Sequence, residues 1–146
     1  SIKPFLEYDN KWTIVLGLTS NKGSNDFQRL QLKKHDEKYL YEQVLETVCN
    51  WGTSDNLMFV VGATQAKDLK HIRTIIPNHF LLLPGVGAQG ASLADVSKYG
   101  MNQDCGMLIN VSRAIIFASD KEDFAEAAGK TAFEYQSEMK MYINKD

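Results

Sequence analysis

The sequence predicts an α/β fold built on a parallel sheet, and three observations support this prediction. Four short apolar runs alternate with longer segments whose apolar residues recur at helical spacing. The short runs are rich in Val, Ile and Leu along their whole length, which is typical of strands buried on both faces. No linker, repeat or low-complexity segment interrupts the alternation, so we expect residues 1–146 to form one domain. Such alternation favours parallel strands joined by right-handed crossovers.

The predicted elements follow this apolar pattern. Gly52 and Gly100 supply stop signals for the first and third helices, and Pro77 follows the second. Asp120 is predicted to cap the last helix, because a carboxylate can accept a hydrogen bond from a free helix N–H. Residues 1–10 show a fragment of an amphipathic helix. The predicted strands are 12–18, 57–61, 80–83 and 105–109, and the predicted helices are 38–51, 66–76, 91–99 and 121–143.

Composition limits the classes of function. The chain of 146 residues is 44% apolar and 23% charged, as expected for an ordinary globular domain. Its net charge of −2 argues against a nucleic-acid surface, since such domains are usually basic. No apolar run approaches the roughly 20 residues that cross a bilayer, and no signal peptide is recognisable. Cys49 and Cys105 are far apart and are predicted to be reduced, buried thiols of a cytoplasmic protein.

Two loops that follow predicted strands have the chemistry of an anion site. Residues 81–90 read Leu-Leu-Leu-Pro-Gly-Val-Gly-Ala-Gln-Gly, and residues 110–113 read Asn-Val-Ser-Arg. Glycines let backbone N–H groups approach an anion, and an arginine offers a planar fork of donors. In a (β/α)8 barrel, the loops after the last two strands commonly bind phosphate. The two stretches therefore predict a phosphate site.

The glycine-rich loop also fits two competing interpretations. Residues 85–90 match Gly-x-Gly-x-x-Gly, the fingerprint of dinucleotide-binding domains. That fingerprint calls for an acidic residue about 20 positions later, at the end of the next strand. Here the next strand ends in Asn-Val-Ser-Arg, which contains no acid. A plain structural turn is the third interpretation, and the phosphate loop of a barrel is the one that we favour.

A resemblance to a known family rests on these motifs taken together. Residues 60–64 (Val-Val-Gly-Ala-Thr), 83–90, 110–113 and, upstream, 18–23 (Leu-Thr-Ser-Asn-Lys-Gly) resemble the second half of orotidine 5′-phosphate decarboxylase, in its longer bacterial form. The resemblance implies the C-terminal half of a (β/α)8 barrel with about four strand–helix units. It also implies an enzyme of pyrimidine biosynthesis that converts orotidine monophosphate to uridine monophosphate and carbon dioxide, without a metal or organic cofactor.

The resemblance assigns the phosphate end of the nucleotide to four residues. Arg113 would clamp the phosphate, and Gln89 would reach both the phosphate and the base. Gly87 and Ser112 would offer backbone N–H groups, although many members of the family carry glycine at the position of Ser112. Without the resemblance, Gln89 would be a surface amide and Arg113 a solvated arginine at a helix start.

Two further residues are assigned to the substrate site. Ser20 would hydrogen-bond the pyrimidine edge, whereas composition alone favours a turn serine at this position. Pro84 would shape the loop and touch the ligand through apolar contact. The histidines at positions 35, 71 and 79 have no metal-ligand spacing, so we expect surface or satisfied structural side chains.

The catalytic groups of the family are not recognisable in this sequence. The family uses an Asp-x-Lys-x-x-Asp motif, and Asp-x-Lys strings such as residues 36–38 and 68–70 are not followed by the second aspartate. We therefore expect no catalytic residue in the chain and no activity from the chain alone. A non-catalytic half-barrel that binds phosphate or a nucleotide is the alternative. Four strands leave two exposed sheet edges, which predicts a homodimer or other self-association.

Overall fold

The computed structural model describes residues 2–33, 37–62, 66–87 and 91–144. Within these ranges the chain alternates strands and helices as the sequence predicts, after a short 3-10 helix at Lys3–Glu7. A second 3-10 helix, Lys22–Asn25, follows the first strand. The strands are β1 (Thr13–Leu18), β2 (Leu57–Val61), β3 (Phe80–Pro84) and β4 (Met107–Asn110). The α-helices are α1 (Leu40–Cys49), α2 (Ala66–Ile75), α3 (Leu93–Gly100), α4 (Arg113–Ile116) and α5 (Phe124–Ile143).

The four strands form one parallel sheet in the order β1-β2-β3-β4. Every strand pairs with its neighbour in sequence, so all four carboxyl ends meet at one edge of the sheet. The register shifts once, between Leu16 and Leu18 of β1. The prediction of a parallel α/β sheet is confirmed. The strands are four to six residues long and mostly apolar on both faces, which is typical of a parallel sheet.

Helices α1, α2 and α3 cover one face of the sheet and form the core with it. Leu45, Leu69 and Val96, one from each helix, are fully buried against the sheet. Phe59 at the centre of β2 is also fully buried. Burying a side chain of this size contributes about 1.5–3 kcal/mol, so this layer supplies most of the hydrophobic stabilisation of the domain.

The opposite face of the sheet carries an apolar row that no helix covers. Leu16, Val60, Leu82 and Leu108 are cross-strand partners and therefore lie side by side. Leu16 and Leu108, at the two ends of the row, keep 51% and 50% of their surface exposed. In a closed barrel this face is the interior, which is filled by branched apolar side chains in layers.

Three predictions about local structure are corrected by the coordinates. The last helix begins at Phe124, and Asp123 occupies the cap position, so Asp120 does not cap it. Residues 119–123 form a turn instead, in which the Ser119 hydroxyl donates to the Asp123 carboxylate. Cys49 and Cys105 are free, as predicted, but half-exposed rather than buried. The N-terminal segment, predicted as a fragment of an amphipathic helix, is a 3-10 helix at Lys3–Glu7.

Candidate functional site at the carboxyl ends of the strands

The carboxyl ends of β1 and β2 come into direct contact. The Gly62 N–H donates to the carbonyl oxygen of Leu18 across 2.7 Å. A Cβ atom added to Gly62 would lie 2.5 Å from the backbone nitrogen of Ser20, which is too close for any side chain. Gly62 is therefore required for this approach, and the approach fixes where the Ser20 turn sits above the sheet.

Ser20 and Pro84 line the same small hollow at this edge. The hollow has a volume of about 220 Å³ and opens to solvent. It spans the ends of β1, β2 and β3, so two of the predicted substrate-binding residues are brought together. Its lining residues are Leu18, Thr19, Ser20, Asn21, Val60, Gly62 and Pro84.

The glycine-rich loop begins at Pro84, which is the cross-strand partner of Asn110. This pairing places the loop after β3 directly beside the loop after β4. Gly85 and Gly87 adopt positive φ angles of 88° and 79°, a region that favours glycine. Val86 between them is buried, so the loop turns over an apolar anchor. Gln89 lies outside the described residues.

The backbone donor of Gly87 is engaged within the loop itself. Its N–H donates to the carbonyl oxygen of Ala91 across 3.0 Å. A phosphate contact from this N–H would require the Ala91 bond to be exchanged or shared. The role assigned to Gly87 therefore stays a prediction, and the glycine has a second, structural reason for its position.

That second reason is Tyr135 of α5, which the sequence analysis did not single out. A Cβ atom on Gly87 would lie 2.0 Å from the Tyr135 hydroxyl oxygen, so the phenol packs directly against the bare backbone. The sequence indicates that the aromatic residues of α5 pack against the rest of the domain, but it does not show which residues they contact. Only the fold reveals that the helix supports the glycine-rich loop from behind.

Ser112 and Arg113 begin the short helix α4, which the sequence analysis did not predict. Ser112 is the cap residue, and its hydroxyl donates to the Asn110 side-chain oxygen across 3.1 Å. Its φ of −112° is open to any L-residue, so a serine here is compatible with a backbone donor role. Arg113 is exposed, and no described residue forms an ion pair with it. The first N–H groups of a helix have no partner within that helix and remain available.

Burial shifts several pKa values, and it raises the pKa of Tyr41 at the start of α1 to about 12. Burial lowers the pKa of Arg73 in α2 to about 10, and burial together with Arg73 lowers the pKa of His79 before β3. Both residues lie toward the amino ends of the strands. Arg73 donates only to backbone carbonyl oxygens, which identifies a structural guanidinium rather than a reactive group.

The histidines follow the prediction only in part. His71 of α2 contacts the buried carboxylate of Glu42 in α1 and is a satisfied structural residue. His79 corrects the prediction, because both of its ring nitrogens are buried without a described hydrogen-bond partner. His35 lies outside the described residues. Within the described ranges, no three His, Cys, Asp or Glu side chains are placed to hold a metal ion.

Comparison with known proteins decides the family. Residues 1–128 match the orotidine 5′-phosphate decarboxylase / HUMPS family. The chain belongs to this family. It is 56% identical over 145 residues to the orotidine 5′-phosphate decarboxylase of Christiangramia forsetii, covering 99% of this chain and 52% of that protein. It is 53% identical over 139 residues to the enzyme of Phocaeicola vulgatus, covering 95% and 50%. The chain thus spans about half the length of the curated relatives that it matches.

Solved structures of the family agree with this fold. The OMP decarboxylase of Leishmania donovani matches with a TM-score of 0.74 at 37% identity, over 94% of this chain and 51% of that one. The UMP synthase of the same organism matches with a TM-score of 0.75 at 40% identity, over 94% and 30%. The four strand–helix units are therefore half of a (β/α)8 barrel, as the resemblance implied. None of the described helices is long and apolar enough to cross a membrane.

Proposed function

We propose that this chain supplies the nucleotide-binding half of an orotidine 5′-phosphate decarboxylase, which forms uridine monophosphate and carbon dioxide from orotidine monophosphate. One observation carries the proposal. Ser20 and Pro84 line a single hollow, and Pro84 pairs with Asn110 at the start of the loop that bears Arg113. Ser20, Pro84 and Arg113 therefore follow strand ends that lie along one sheet edge.

Arg113 is the principal phosphate ligand in this proposal. It stands exposed at the start of α4, next to the loop that follows β3, and no described residue forms an ion pair with its guanidinium, which can make a charge-assisted pair with phosphate. The Ser112 N–H adds a backbone donor at the same helix start. Gly87 and Gln89 complete the phosphate end from the neighbouring loop.

Ser20 holds the pyrimidine edge, and Pro84 forms an apolar wall beside it. Both residues border the hollow at the ends of β1 and β3. The groups that act on the carboxylate and carbon of the substrate come from outside these 146 residues, because the sequence contains no Asp-x-Lys-x-x-Asp motif. The chain contributes binding energy that chemistry uses only when it is coupled to those groups.

The described residues also bear on domain organisation, assembly and location. We expect residues 1–146 to act as one domain, since β1 to β4 and α1 to α3 contribute to a single core cluster. The uncovered row on the sheet favours a homodimer or other self-association when the chain stands alone. The two free thiols favour the cytoplasm, where thiols stay reduced.

The test of the phosphate role compares the binding of two ligands, uridine monophosphate and uridine. It uses the full-length protein, that is, the complete decarboxylase of which we propose that this chain is half. Arg113→Ala should weaken uridine monophosphate by about 1.5–3 kcal/mol, the contribution of a hydrogen bond to a charged group. Uridine, which has no phosphate, should bind with unchanged affinity. Lys130→Ala removes an exposed cation from the middle of α5 and is the matched control. It should leave the affinities for both ligands unchanged. Equal losses for both ligands in Arg113→Ala would refute the phosphate role.

A second candidate, a half-barrel that binds a nucleotide without catalysis, is favoured by the missing motif. Loss of orotidine monophosphate absorbance separates the two candidates. We expect no turnover by residues 1–146 alone and measurable turnover once the preceding half of a related barrel is supplied. Binding of uridine monophosphate by the full-length protein without any turnover would favour the second candidate.

A further inference from the structure

The turn that carries Ser20 is held by a side chain eight residues later, Gln28. The Gln28 Oε1 accepts the Thr19 N–H across 2.8 Å and lies 3.0 Å from the Thr19 hydroxyl oxygen. That hydroxyl also lies 2.6 Å from the side-chain oxygen of Asn21. A backbone N–H can only donate, so the atom of Gln28 that meets it must be the amide oxygen. Gln28 therefore ties down the residue immediately before Ser20.

Gln28 can hold the turn because its own backbone is fixed to the helix layer. Its carbonyl oxygen accepts the Tyr41 N–H at the start of α1 across 2.9 Å. The next residue, Arg29, forms an ion pair with Asp68 of α2 and lies over the Tyr41 ring at 5.9 Å. A hydrogen bond to a group that is itself anchored restricts its partner, whereas a bond to a mobile side chain does not.

The opposite side of the turn rests on the sheet. Ser20 packs against Gly62 at the end of β2, so close that no Cβ fits between them. The turn is thus confined by the sheet on one side and by Gln28 on the other. The Gln28 contact is made with Thr19 and the Gly62 contact with the Ser20 backbone and Cβ, so both act on where Ser20 stands.

We infer that Gln28 is a positioning residue for the base end of the nucleotide site. It sets the position of Ser20 through Thr19 and does not touch the ligand. This inference rests on the proposed function, because it needs Ser20 to face the pyrimidine. Loss of the Gln28 oxygen should weaken every ligand that carries the base, with or without a phosphate. Loss of the Arg113 side chain, by contrast, should weaken only the ligand that carries a phosphate.

The test uses the full-length protein and measures binding of uridine monophosphate and of uridine. Gln28→Met keeps the length of the side chain but removes the acceptor, and should weaken both ligands by the same factor, roughly tenfold. Gln28→Glu restores an acceptor oxygen and should recover most of the affinity. Gln43→Met is the matched control, since among the described residues the Gln43 side-chain amide bonds only its helix neighbour Thr47, at 3.0 Å. It should bind both ligands as the wild type does.

A double-mutant cycle separates positioning from general damage. In a Ser20→Ala background, Gln28→Met should cause no further loss, because the residue that it positions has been removed. Amide exchange gives a second measurement if Gln28→Met proves too unstable to titrate. The milder Gln28→Asn, whose oxygen is drawn back by one methylene, should speed exchange of the Thr19 N–H.

The possible outcomes distinguish this inference from the proposed function. If Gln28→Met leaves both affinities unchanged while Arg113→Ala weakens uridine monophosphate, the inference is overturned and the proposed function stands. Additive losses in the Ser20 cycle would likewise reduce Gln28 to a stabilising residue. A wild-type protein that binds neither ligand would overturn the proposed function and the inference with it.

Discussion

At the scale of single residues, the contact between Gly87 and Tyr135 explains why the glycine-rich loop needs a bare backbone there. Gly87→Ala should lower the free energy of unfolding by at least about 1–2 kcal/mol, because its φ of 79° is strained for any other residue. Overlap with the Tyr135 hydroxyl adds to this, since the new Cβ would lie 2.0 Å from it. Urea denaturation measures the loss.

The contribution of the overlap can be isolated with a second substitution. Tyr135→Phe removes the hydroxyl and leaves the ring carbon, Cζ, at 3.1 Å from the added Cβ. In the double variant, most of the overlap should be relieved while the strain of the positive φ remains. Gly129→Ala on α5 is the control, because its Cβ meets nothing within 4 Å and should stabilise the helix by about 1 kcal/mol. Identical losses with and without the Tyr135 hydroxyl would contradict the contact.

His79 predicts a pH dependence of stability. Burial, followed by the nearby Arg73 charge, lowers its folded-state pKa below the ordinary value of 6.5. As pH falls below about 6.5, the unfolded chain takes up the proton before the folded chain does, so stability decreases with acidity. His79 can contribute at most about 1.4 kcal/mol per pH unit to the slope of the free energy of unfolding against pH. At neutral pH and above, His79 is uncharged in both states and the slope disappears.

The variant His79→Phe should remove this acid sensitivity. Phenylalanine retains the edge contact with the Phe59 ring, whose centroid lies 5.4 Å away, and buries no unpaired nitrogen. Its free energy of unfolding should exceed that of the wild type by about 1–3 kcal/mol, the penalty for an unsatisfied buried polar group. Urea denaturation at pH 5 and pH 7.5 gives both numbers. An acid slope that survives the substitution would assign it to other groups.

At the scale of elements, Arg73 ties together segments at the amino ends of the strands. Its guanidinium donates to Gly100 at the end of α3 across 2.6 Å and to Gly106 before β4 across 2.7 Å. It also donates to His79 before β3 across 2.7 Å. The Gly106 carbonyl also accepts the Leu81 N–H across 2.9 Å, whereas Gly100 ends α3, where a carbonyl has no partner within the helix.

Substitution of Arg73 tests this bridging role. Arg73→Met should lower the free energy of unfolding by about 3 kcal/mol or more, since several half-buried carbonyls lose their donors at once. Arg73→Lys keeps the charge but not the planar fork, so its loss should be intermediate. Thermal denaturation monitored by circular dichroism ranks the three proteins. A lysine variant as stable as the wild type would show that charge alone suffices.

The same scale shows what the sequence could and could not predict. The strand Leu57–Val61 was predicted with its observed bounds, because a run of five apolar residues has a single interpretation between two helices. Helix α4 was missed, since four residues are too short to display a period. The start of α5 was placed too early, because the acidic residues at 120–123 imitate a helix start but belong to the Ser119 turn.

The residues of the candidate site were also predicted only in part. The motifs 18–23, 83–90 and 110–113 gave the candidates Ser20, Pro84 and Arg113, and parallel strands bring their loops to one edge. The supporting residues escaped sequence analysis because their roles depend on distances across the fold. Gln28 reaches Thr19 from later in the connection between β1 and α1, and Tyr135 reaches Gly87 from α5. Neither spacing repeats along the chain.

At the scale of the whole molecule, the decisive feature is the uncovered sheet face between two free edges. Strands β1 and β4 each pair on one side only. The row from Leu16 to Leu108 presents apolar surface that a complete barrel would enclose. Unpaired backbone groups and exposed apolar area together favour association with matching edges. Two copies of a half-barrel offer such edges to each other, β4 of one copy beside β1 of its partner.

We therefore expect residues 1–146 to self-associate at micromolar concentration when produced alone. Substituting Leu16→Lys and Leu108→Lys places charges at both ends of the apolar row and should release monomers, because a buried unpaired charge is costly. Met141→Lys on α5, whose side chain is 61% exposed, is the matched control and should leave the assembly intact. Light scattering gives the mass of each variant. A wild-type chain that remains monomeric would exclude pairing through these edges, whereas equal dissociation by Met141→Lys would move the interface to the helical side.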